Sequence, residues 1–276
     1  MKYVGDPIKQ LAIWLVQSRE YTNFTYDLDS TNRQYLAAFV AQITGKSYSE
    51  VSGYIAELEN DKRLAAHILQ VTSNSLLRSF ADSSVRYARR LGWYAIVRAN
   101  RPRVVIETGV DKGLGACVLT AALSRNSEEG YPGYYYGLDI NPDAGYLLCG
   151  EYQKFGEIVY GDSIETLKSF SEPIDLFIND SDHSAGYEAA EYETISNKLS
   201  DDSIVLGDNA HLTTKLLEFA DRTGREFLYF QEKPLRHWYP GAGIGAAFKR
   251  ANAAGEAAAA SKREHPGAIR GVVRGL

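Results

Sequence analysis

Residues able to bind a cation or accept a proton follow two neighbouring predicted strands. Asp180, Asp182 and His183 follow one strand, and Asp208 and Asn209 follow the next. Because the carboxyl ends of parallel strands meet at one edge of a sheet, these side chains are predicted to share a crevice. Oxygen ligands from Asp180, Asp208 and Asn209 suit a hard divalent ion such as Mg²⁺. Without a cation, the crowded carboxylates would repel one another and one would tend to protonate.

His183 is the candidate general base of this crevice. It lies three residues after Asp180, and imidazole titrates near neutral pH. A metal would share the task, because coordination lowers the pKa of a bound hydroxyl. His211 is the rival base. The alternative for the whole cluster is a set of helix caps and turn residues with local roles.

A glycine turn follows the first predicted strand of the sheet. The β-branched residues 104–106 lead into Glu107, and Gly109 and Gly113 come next. This pattern, E-x-G-x-x-x-G, differs from the G-x-G-x-x-G with which dinucleotide folds bind a pyrophosphate. An acidic residue at the strand end instead suits a ligand that carries an amine and a sulfonium. The alternative is a glycine turn that joins any strand to any helix.

Polar residues also follow the second and third predicted strands. Asp139 ends the second strand, where a carboxylate can accept hydrogen bonds from both ribose hydroxyls of an adenosine ligand. Asp162 and Ser163 follow the third strand and fit a contact to the exocyclic amine of adenine. Asp162 also fits a helix cap, so both roles stay open.

A parallel sheet is needed to position these residues. From Arg103 onward, strand and helix patterns alternate, which predicts an α/β, doubly wound, mostly parallel seven-stranded sheet. No helix separates the last two candidate strands, 226–230 and 241–250, so the final strand is predicted to be antiparallel. The loop 236–243 between them carries aromatic residues that either stack on a substrate or pack in the core.

Residues 1–100 are predicted to be helical and to form a cap or dimerisation arm, or else extra helices of the core. Capping residues and glycines predict one helix from about residue 30 to Gly45 and another after Ser47 or Ser49. A last, long helix is predicted from 74 to 100, ended by Pro102. Residues 101–250 are predicted to form the sheet domain. The Ala- and Gly-rich residues 251–276 are predicted to be a disordered tail.

Composition restricts the partners of the chain. Thirty Lys and Arg against 35 Asp and Glu give a net charge of −5, which argues against a nucleic-acid footprint. Cys117 and Cys149 lie in predicted apolar helices without metal-ligand spacing, as expected of reduced thiols in a cytoplasmic protein. Neither a membrane span nor a signal-peptide pattern is present, so no membrane partner is predicted.

Five motifs together resemble those of metal-dependent class I S-adenosylmethionine (SAM) O-methyltransferases: ETGVDKGLG, GLDIN, GDSIETL, IDLFINDSDH and SIVLGDN. The macrocin O-methyltransferase type and the family grouped with cephalosporin-hydroxylase proteins are most similar, and the resemblance covers about residues 103–250. It implies a Rossmann-like fold with a SAM site lined by Glu107, Gly109, Gly113, Asp139, Asp162 and Asp180. It also implies that Asp180, Asp208 and Asn209 hold the metal and that His183 acts as the base.

The chain departs from these families at two points. Catechol-type relatives carry Asp-His-x-Lys where this chain has Asp180-Ser181-Asp182-His183, which leaves sugar or alcohol hydroxyls as acceptors. Macrocin-type members often have a second carboxylate in place of Asn209, which predicts lower metal affinity here. The expected activity is methyl transfer from SAM to a hydroxyl of a small molecule of sugar or natural-product type, assisted by Mg²⁺.

Three alternatives remain open at this stage. A NAD-type oxidoreductase is supported by Asp139 and opposed by the missing G-x-G-x-x-G. A nucleic-acid methyltransferase is opposed by the acidic balance and by residues 141–144, which lack an Asp/Asn-Pro-Pro-aromatic motif. A non-catalytic partner protein could use the N-terminal helices, since a fold does not guarantee activity. Those helices are also the predicted contact of a homo-oligomer.

Overall fold

A computed structural model of the chain describes residues 2–18, 26–82 and 84–250. Helices occupy the N-terminal part and one mixed sheet follows them. The N-terminal helices are α1 Lys2–Gln17, α2 Ser30–Thr44, α3 Tyr48–Glu59, α4 Lys62–Asn74, a 3-10 helix Leu76–Phe80, and α5 Arg90–Asn100. The predicted disordered tail, residues 251–276, lies outside the described residues.

The boundaries of α2 and α3 follow local sequence signals. Asp29 caps α2 by accepting a hydrogen bond from the Thr31 N–H, and Gly45 ends the helix in a left-handed conformation. Ser47 and Glu50 form a reciprocal capping box at the start of α3. The bounds of α2 and the start of α3 therefore lie close to the predicted positions.

The predicted long helix from residue 74 to residue 100 is wrong. The backbone becomes extended at Ser75, which ends α4, and α5 begins only at Arg90. Short polar side chains such as Asp82 in the intervening segment compete with helical hydrogen bonds. Ala88 then turns the chain with a left-handed backbone, φ 49°. The break brings the residues just before α5 to the edge of the sheet.

Seven strands form one sheet in the order β3-β2-β1-β4-β5-β7-β6. They are β1 Val104–Thr108, β2 Tyr134–Asp139, β3 Gly156–Tyr160, β4 Ile174–Asn179, β5 Leu199–Asp208, β6 Glu226–Gln231 and β7 Gly243–Phe248. Neighbours among β1 to β5 are parallel, whereas β7 is antiparallel to both β5 and β6. The predicted doubly wound, mostly parallel sheet with an N-terminal helical extension is confirmed. The strand order reverses beside β1, which places the ligand crevice at the ends of β1 and β4.

Helices cover both faces of the sheet. The helices of this part are α6 Leu114–Glu128, a 3-10 helix Tyr152–Phe155, α7 Ser163–Ser169, α8 Ala185–Ile195 and α9 Lys215–Arg222. Residues of α5 and α6 pack in the larger core cluster, and residues of α7, α8 and α9 pack in the smaller one. The larger cluster also contains Leu36 of α2 and Ile55 of α3 together with Val105 of β1. The N-terminal helices therefore share a hydrophobic core with the sheet.

The two cysteines are free thiols, but only one lies in a helix. Cys117 is buried in α6, as predicted, and burial raises its pKa. Cys149 lies in an irregular segment instead of the predicted helix, because Gly145 and Gly150 on either side adopt positive φ angles. Among the described helices, none has the length and apolarity needed to cross a membrane.

Candidate active site

A cleft of about 670 Å³ opens at the carboxyl ends of β1 to β4. The predicted cofactor-binding residues that line it are Gly109, Asp139, Asp162, Ser163 and Asp180. Glu107 and Gly113 do not line it. Arg89 and Arg90, which the sequence patterns did not single out, do. The sheet thus brings together most of the predicted site from four separate stretches of chain.

The glycine turn after β1 is shaped by close backbone packing. Gly109 has a positive φ of 81°, and a Cβ atom there would lie 2.0 Å from the carbonyl oxygen of Asp180. Gly113 has a φ of 94° and starts α6, where a Cβ would lie 3.1 Å from the Cα of Gly145. Gly109 therefore forms the floor of the cleft, while Gly113 sets the turn into the helix.

Glu107 lies in the core beneath the cleft. It is 1% exposed, and its carboxylate accepts a hydrogen bond of 2.5 Å from the hydroxyl of Tyr135. Burial raises the pKa of Glu107 to about 7. A Cβ atom on Gly115, in the first turn of α6, would lie 2.2 Å from this carboxylate, so the absence of a side chain there makes room for it. Its predicted contact with a cofactor stays a prediction.

Asp139 holds the glycine turn in place with its own carboxylate. One oxygen accepts hydrogen bonds from the N–H groups of Val110 and Asp111, at 2.8 and 3.1 Å. The other accepts one from the Asn141 N–H, at 2.8 Å. Each carboxylate oxygen has two lone pairs, and three of the four are used, so Asp139 can accept one further bond from a ligand in the cleft.

Asp162 and Ser163 form the wall of the cleft beyond β3. Asp162 is the N-cap of α7 and accepts a 2.9 Å bond from the Glu165 N–H, so its capping role is confirmed. The Ser163 hydroxyl lies 2.9 Å from the hydroxyl of Tyr187 and donates a hydrogen bond to Glu191. The side chain of Ser163 is therefore fixed by partners inside the protein.

Glu191 is a supporting residue that the sequence patterns missed. Its buried carboxylate accepts hydrogen bonds from Thr108, Ser163, Asn179 and Ser181, which belong to β1, α7, β4 and the loop after β4. Burial raises its pKa. A glutamate in an amphipathic helix is expected on the solvent face, so the sequence carries no signal for this role.

The acidic residues after β4 and β5 meet at one end of the cleft. Asp180, His183 and Asp208 each offer a ligand atom, and these atoms lie within 4.8 Å of one another. The Nε2 atom of His183 is 3.8 Å from Asp180 Oδ1 and 3.0 Å from the amide nitrogen of Asn209. The two predicted aspartate ligands therefore come together, with His183 beside them and Asn209 turned toward the imidazole.

Arg89 supplies a positive charge to this acidic end. Its guanidinium donates two hydrogen bonds to the carboxylate of Asp208, the Nη2–Oδ2 distance being 2.5 Å. It also lies 3.5 Å from Glu232, whose carboxylate accepts bonds from the Arg89 backbone N–H and from the hydroxyl of Tyr26. The sequence could not reveal this contact, because Arg89 lies in the break that was predicted as continuous helix.

The donor atoms at the acidic end, and their spacing, fit a divalent cation. Arg89, however, would compete with that cation for Asp208. Burial and the charge of Asp208 raise the pKa of Asp180 well above its usual value. Burial also acts to raise the pKa of Asp208, yet Arg89 outweighs this effect and holds that pKa low. A metal ion would bind the ionised carboxylate of Asp180 and would share Asp208 with Arg89.

Two other sequence candidates lie apart from the cleft. His211 is exposed, and neither His211 nor His183 is among the lining residues. His183, whose side chain is 26% exposed, lies beside Asp180, which does line the cleft. In the loop 236–243, Trp238 packs on Trp14 of α1, with ring centroids 5.5 Å apart, and His237 packs on Tyr26 at 5.3 Å. The aromatic residues of this loop therefore pack on the N-terminal segment.

The strand order, the antiparallel β7 and the cleft at the switch point together define the Rossmann-like methyltransferase fold that the motifs implied. Residues 106–210 match a family model described as a methyltransferase domain. The chain therefore contains a methyltransferase domain, and the prediction that it is a methyltransferase is confirmed. No curated protein matches the chain.

Solved structures that are similar to this chain include two methyltransferases and one further cofactor-bound protein. The S-adenosylhomocysteine-bound methyltransferase PaMTH1 of Podospora anserina is 16% identical, with a TM-score of 0.49 over 74% of this chain and 95% of that chain. The O-methyltransferase TomG of Streptomyces achromogenes, in complex with SAM, is 15% identical, with a TM-score of 0.49 over 70% and 91%. The cofactor-bound Rv0187 from MTB is 18% identical, with a TM-score of 0.49 over 70% and 92%.

Proposed function

We propose that this chain transfers the methyl group of SAM to a hydroxyl group of a small molecule of sugar or natural-product type. One observation carries the proposal: a methyltransferase domain whose cleft is lined by Asp139 at one end and by Asp180 at the other, with His183 and Asp208 beside Asp180. The first end offers an acceptor for a hydroxyl of an adenosine. The second offers His183 as a base for a reacting hydroxyl.

The proposed reaction is a single displacement at carbon. The acceptor oxygen attacks the methyl carbon of SAM, the C–O bond forms as the S–C bond breaks, and S-adenosylhomocysteine leaves as a neutral thioether. The hydroxyl proton passes to His183. Much of the rate enhancement would come from holding the oxygen, methyl carbon and sulfur in line.

The surroundings of His183 support its role as the base. Asp180 lies 3.8 Å from Nε2 and Glu188 lies 3.9 Å from Nδ1. The carboxylate of Glu188 would stabilise the positive imidazolium that forms when the ring takes up a proton.

Mg²⁺ is part of the same proposal. Asp180 and Asp208 would hold it, with His183 adjacent and Asn209 as the further predicted ligand. When bound, the ion would lower the pKa of the acceptor hydroxyl. Arg89 already balances the negative charge of Asp208 in part, so the cleft does not depend on a metal for this. The metal and the methyl donor therefore need separate tests.

The methyl donor is tested by calorimetric titration of S-adenosylhomocysteine. We expect micromolar binding by the intact protein and binding at least about tenfold weaker in Asp139→Asn, since a charge-assisted hydrogen bond contributes about 1.5–3 kcal/mol. Asp143→Asn, at an exposed position outside the lining, is the matched control. Binding of NADH without binding of S-adenosylhomocysteine would contradict the proposal and favour an oxidoreductase.

The metal is tested with Mn²⁺, which binds at Mg²⁺-type oxygen sites and is visible by electron paramagnetic resonance. We expect the intact protein to bind one Mn²⁺ and Asp208→Asn to lose it while keeping S-adenosylhomocysteine affinity. Absence of Mn²⁺ binding at millimolar concentration would remove the metal from the proposed mechanism.

The acidic composition argues against a nucleic-acid partner and therefore favours a small-molecule acceptor. Retention of RNA that weakens as salt is added would contradict this part. The cytoplasmic location stays a prediction.

A further inference from the structure

Arg89 and Arg90 are adjacent in the chain but differ in their partners. The guanidinium of Arg89 is bonded to Asp208, whereas that of Arg90 has no hydrogen bond or ion pair to any part of the chain that the structure describes. Arg90 is only 8% exposed, lines the cleft, and has a buried Nε without an acceptor. A guanidinium is therefore held at the cleft with its donors unused.

A nearly buried guanidinium without an acceptor is costly, so its persistence at a cleft indicates an anionic ligand. The nearby carboxyl groups have other partners: Glu107 accepts from Tyr135 and Asp208 is bonded to Arg89. Asp180 shares a side-chain hydrogen bond with Asp208. The guanidinium of Arg90 packs over the ring of Trp93, with its Cζ atom 5.4 Å from the ring centroid, and this contact helps to fix the side chain. A flat guanidinium can bind a carboxylate through two parallel N–H···O bonds.

The position of Arg90 indicates which part of a ligand it meets. Its charge acts on Glu107 at the end of β1 and on Asp180 after β4. The candidate adenosine contacts, Asp139 and Asp162, follow β2 and β3 on the other side of Gly109. A donor with its adenosine over β2 and β3 would extend its amino-acid end over β1 and β4, toward Arg90.

We propose that Arg90 binds the carboxylate of the methionyl end of the methyl donor and selects donors that carry it. The inference rests on the proposed function, because it takes SAM as the ligand of this cleft. Arg90 would be a binding residue that distinguishes the complete donor from adenosine ligands that lack the carboxylate.

The test compares two ligands that differ only in this group: S-adenosylhomocysteine and its decarboxylated analogue, S-adenosyl-3-thiopropylamine. We expect Arg90→Gln to weaken S-adenosylhomocysteine about 10- to 100-fold in calorimetry and to leave the analogue unchanged. Arg90→Lys should recover part of the loss, since it restores the charge but not the paired geometry. Arg86→Gln, which removes an arginine outside the cleft lining, is the matched control.

The outcomes separate the inference from the proposed function. Equal weakening of both ligands in Arg90→Gln would show a structural role and overturn the inference. Unchanged binding of both would show that the anion is not on the donor and would also overturn it. In both cases the intact protein still binds S-adenosylhomocysteine and the proposed function stands. Failure of the intact protein to bind either ligand would overturn the proposed function and the inference together.

Discussion

At the scale of single residues, the tightest steric requirement in the cleft falls on Gly109. Its φ of 81° lies in the left-handed region, and its Cα faces the backbone of Asp180. Any side chain at this position would push β1 and β4 apart at their carboxyl ends. The motif glycine is therefore required by contact between two strands as well as by the turn itself.

We predict that Gly109→Ala abolishes S-adenosylhomocysteine binding and lowers the free energy of unfolding by about 2–5 kcal/mol, because left-handed strain and overpacking add. Gly130→Ala is the matched control: its φ is 89°, but nothing lies within 4 Å of an added Cβ. The control should lose only about 1–2 kcal/mol. Urea unfolding and calorimetry measure both quantities, and equal losses in the two variants would contradict the steric account.

Arg89 gives a second prediction at this scale. Arg89→Gln removes the cation from Asp208, so the freed carboxylate should bind Mn²⁺ at least about tenfold more tightly than in the intact protein. Arg33→Gln, which removes an arginine from the more exposed pair with Glu59, should leave Mn²⁺ affinity unchanged. Weaker Mn²⁺ binding in Arg89→Gln would show that Arg89 positions Asp208 for the metal instead of competing with it.

At the scale of secondary-structure elements, a buried carboxylate links the two strands that carry the glycine turn and Asp139. Glu107 of β1 and Tyr135 of β2 form the link. Because burial raises the pKa of Glu107 from 4.5 to about 7, the folded protein keeps a proton that the unfolded chain has lost between these values. The free energy of unfolding should therefore fall as the pH rises from 4.5 to 7.

We predict that Glu107→Gln removes this pH dependence, which amounts to about 3 kcal/mol across the interval. Glutamine keeps an oxygen that can accept from Tyr135 and does not titrate. Urea unfolding at pH 5, 6, 7 and 8 measures the effect. Tyr135→Phe is the companion variant: it removes a bond that lowers the pKa of Glu107, so the fall in stability should extend to higher pH. An unchanged slope in Glu107→Gln would contradict the assignment.

The break between α4 and α5 is the element-scale feature with the largest consequence for the site. In a continuous helix, Arg89 and Arg90 would have pointed in different directions around the helix axis. Instead, the turn at Ala88 brings both guanidinium groups to the cleft, one against Asp208 and one unpaired. The acidic cluster thus has a positively charged neighbour from the N-terminal block.

At the scale of the whole molecule, the outer surface of α1 is unusually apolar. Ile8, Leu15 and Val16 are 63%, 65% and 86% exposed. Burial of such side chains in a contact with a second copy of the chain would be favourable by roughly 25 cal/mol for each Å² removed from water. This surface supports the prediction of a homo-oligomer formed through the N-terminal helices.

We predict a concentration-dependent dimer by size-exclusion chromatography with light scattering, which Leu15→Asp combined with Val16→Asp should convert to a monomer. Leu212→Asp, an equally radical change at a residue that is 56% exposed in the loop after β5, should leave the mass unchanged. A monomer at every concentration of the intact protein would contradict the prediction.

Local patterns in the sequence were sufficient for the sheet and for much of the cleft. Alternating strands and helices, the glycines after β1 and the polar residues at strand ends each depend on neighbours within a few positions. The parallel topology then requires that Asp139, Asp180 and Asp208 meet at one edge. The capping box at Ser47 and the glycine end of α2 are local in the same way.

Only the tertiary structure decided how the charges of the site are balanced. Arg89 and Asp208 are 119 positions apart. Glu191 accepts hydrogen bonds from Thr108 and Ser163, which are 83 and 28 positions away. No periodic pattern records such pairings, because burial and partner choice depend on how whole elements pack. The sequence alone determined which strand ends carry chemistry, whereas packing decided that Glu107 faces the core, that Arg89 neutralises Asp208, and that Arg90 is left open to a ligand.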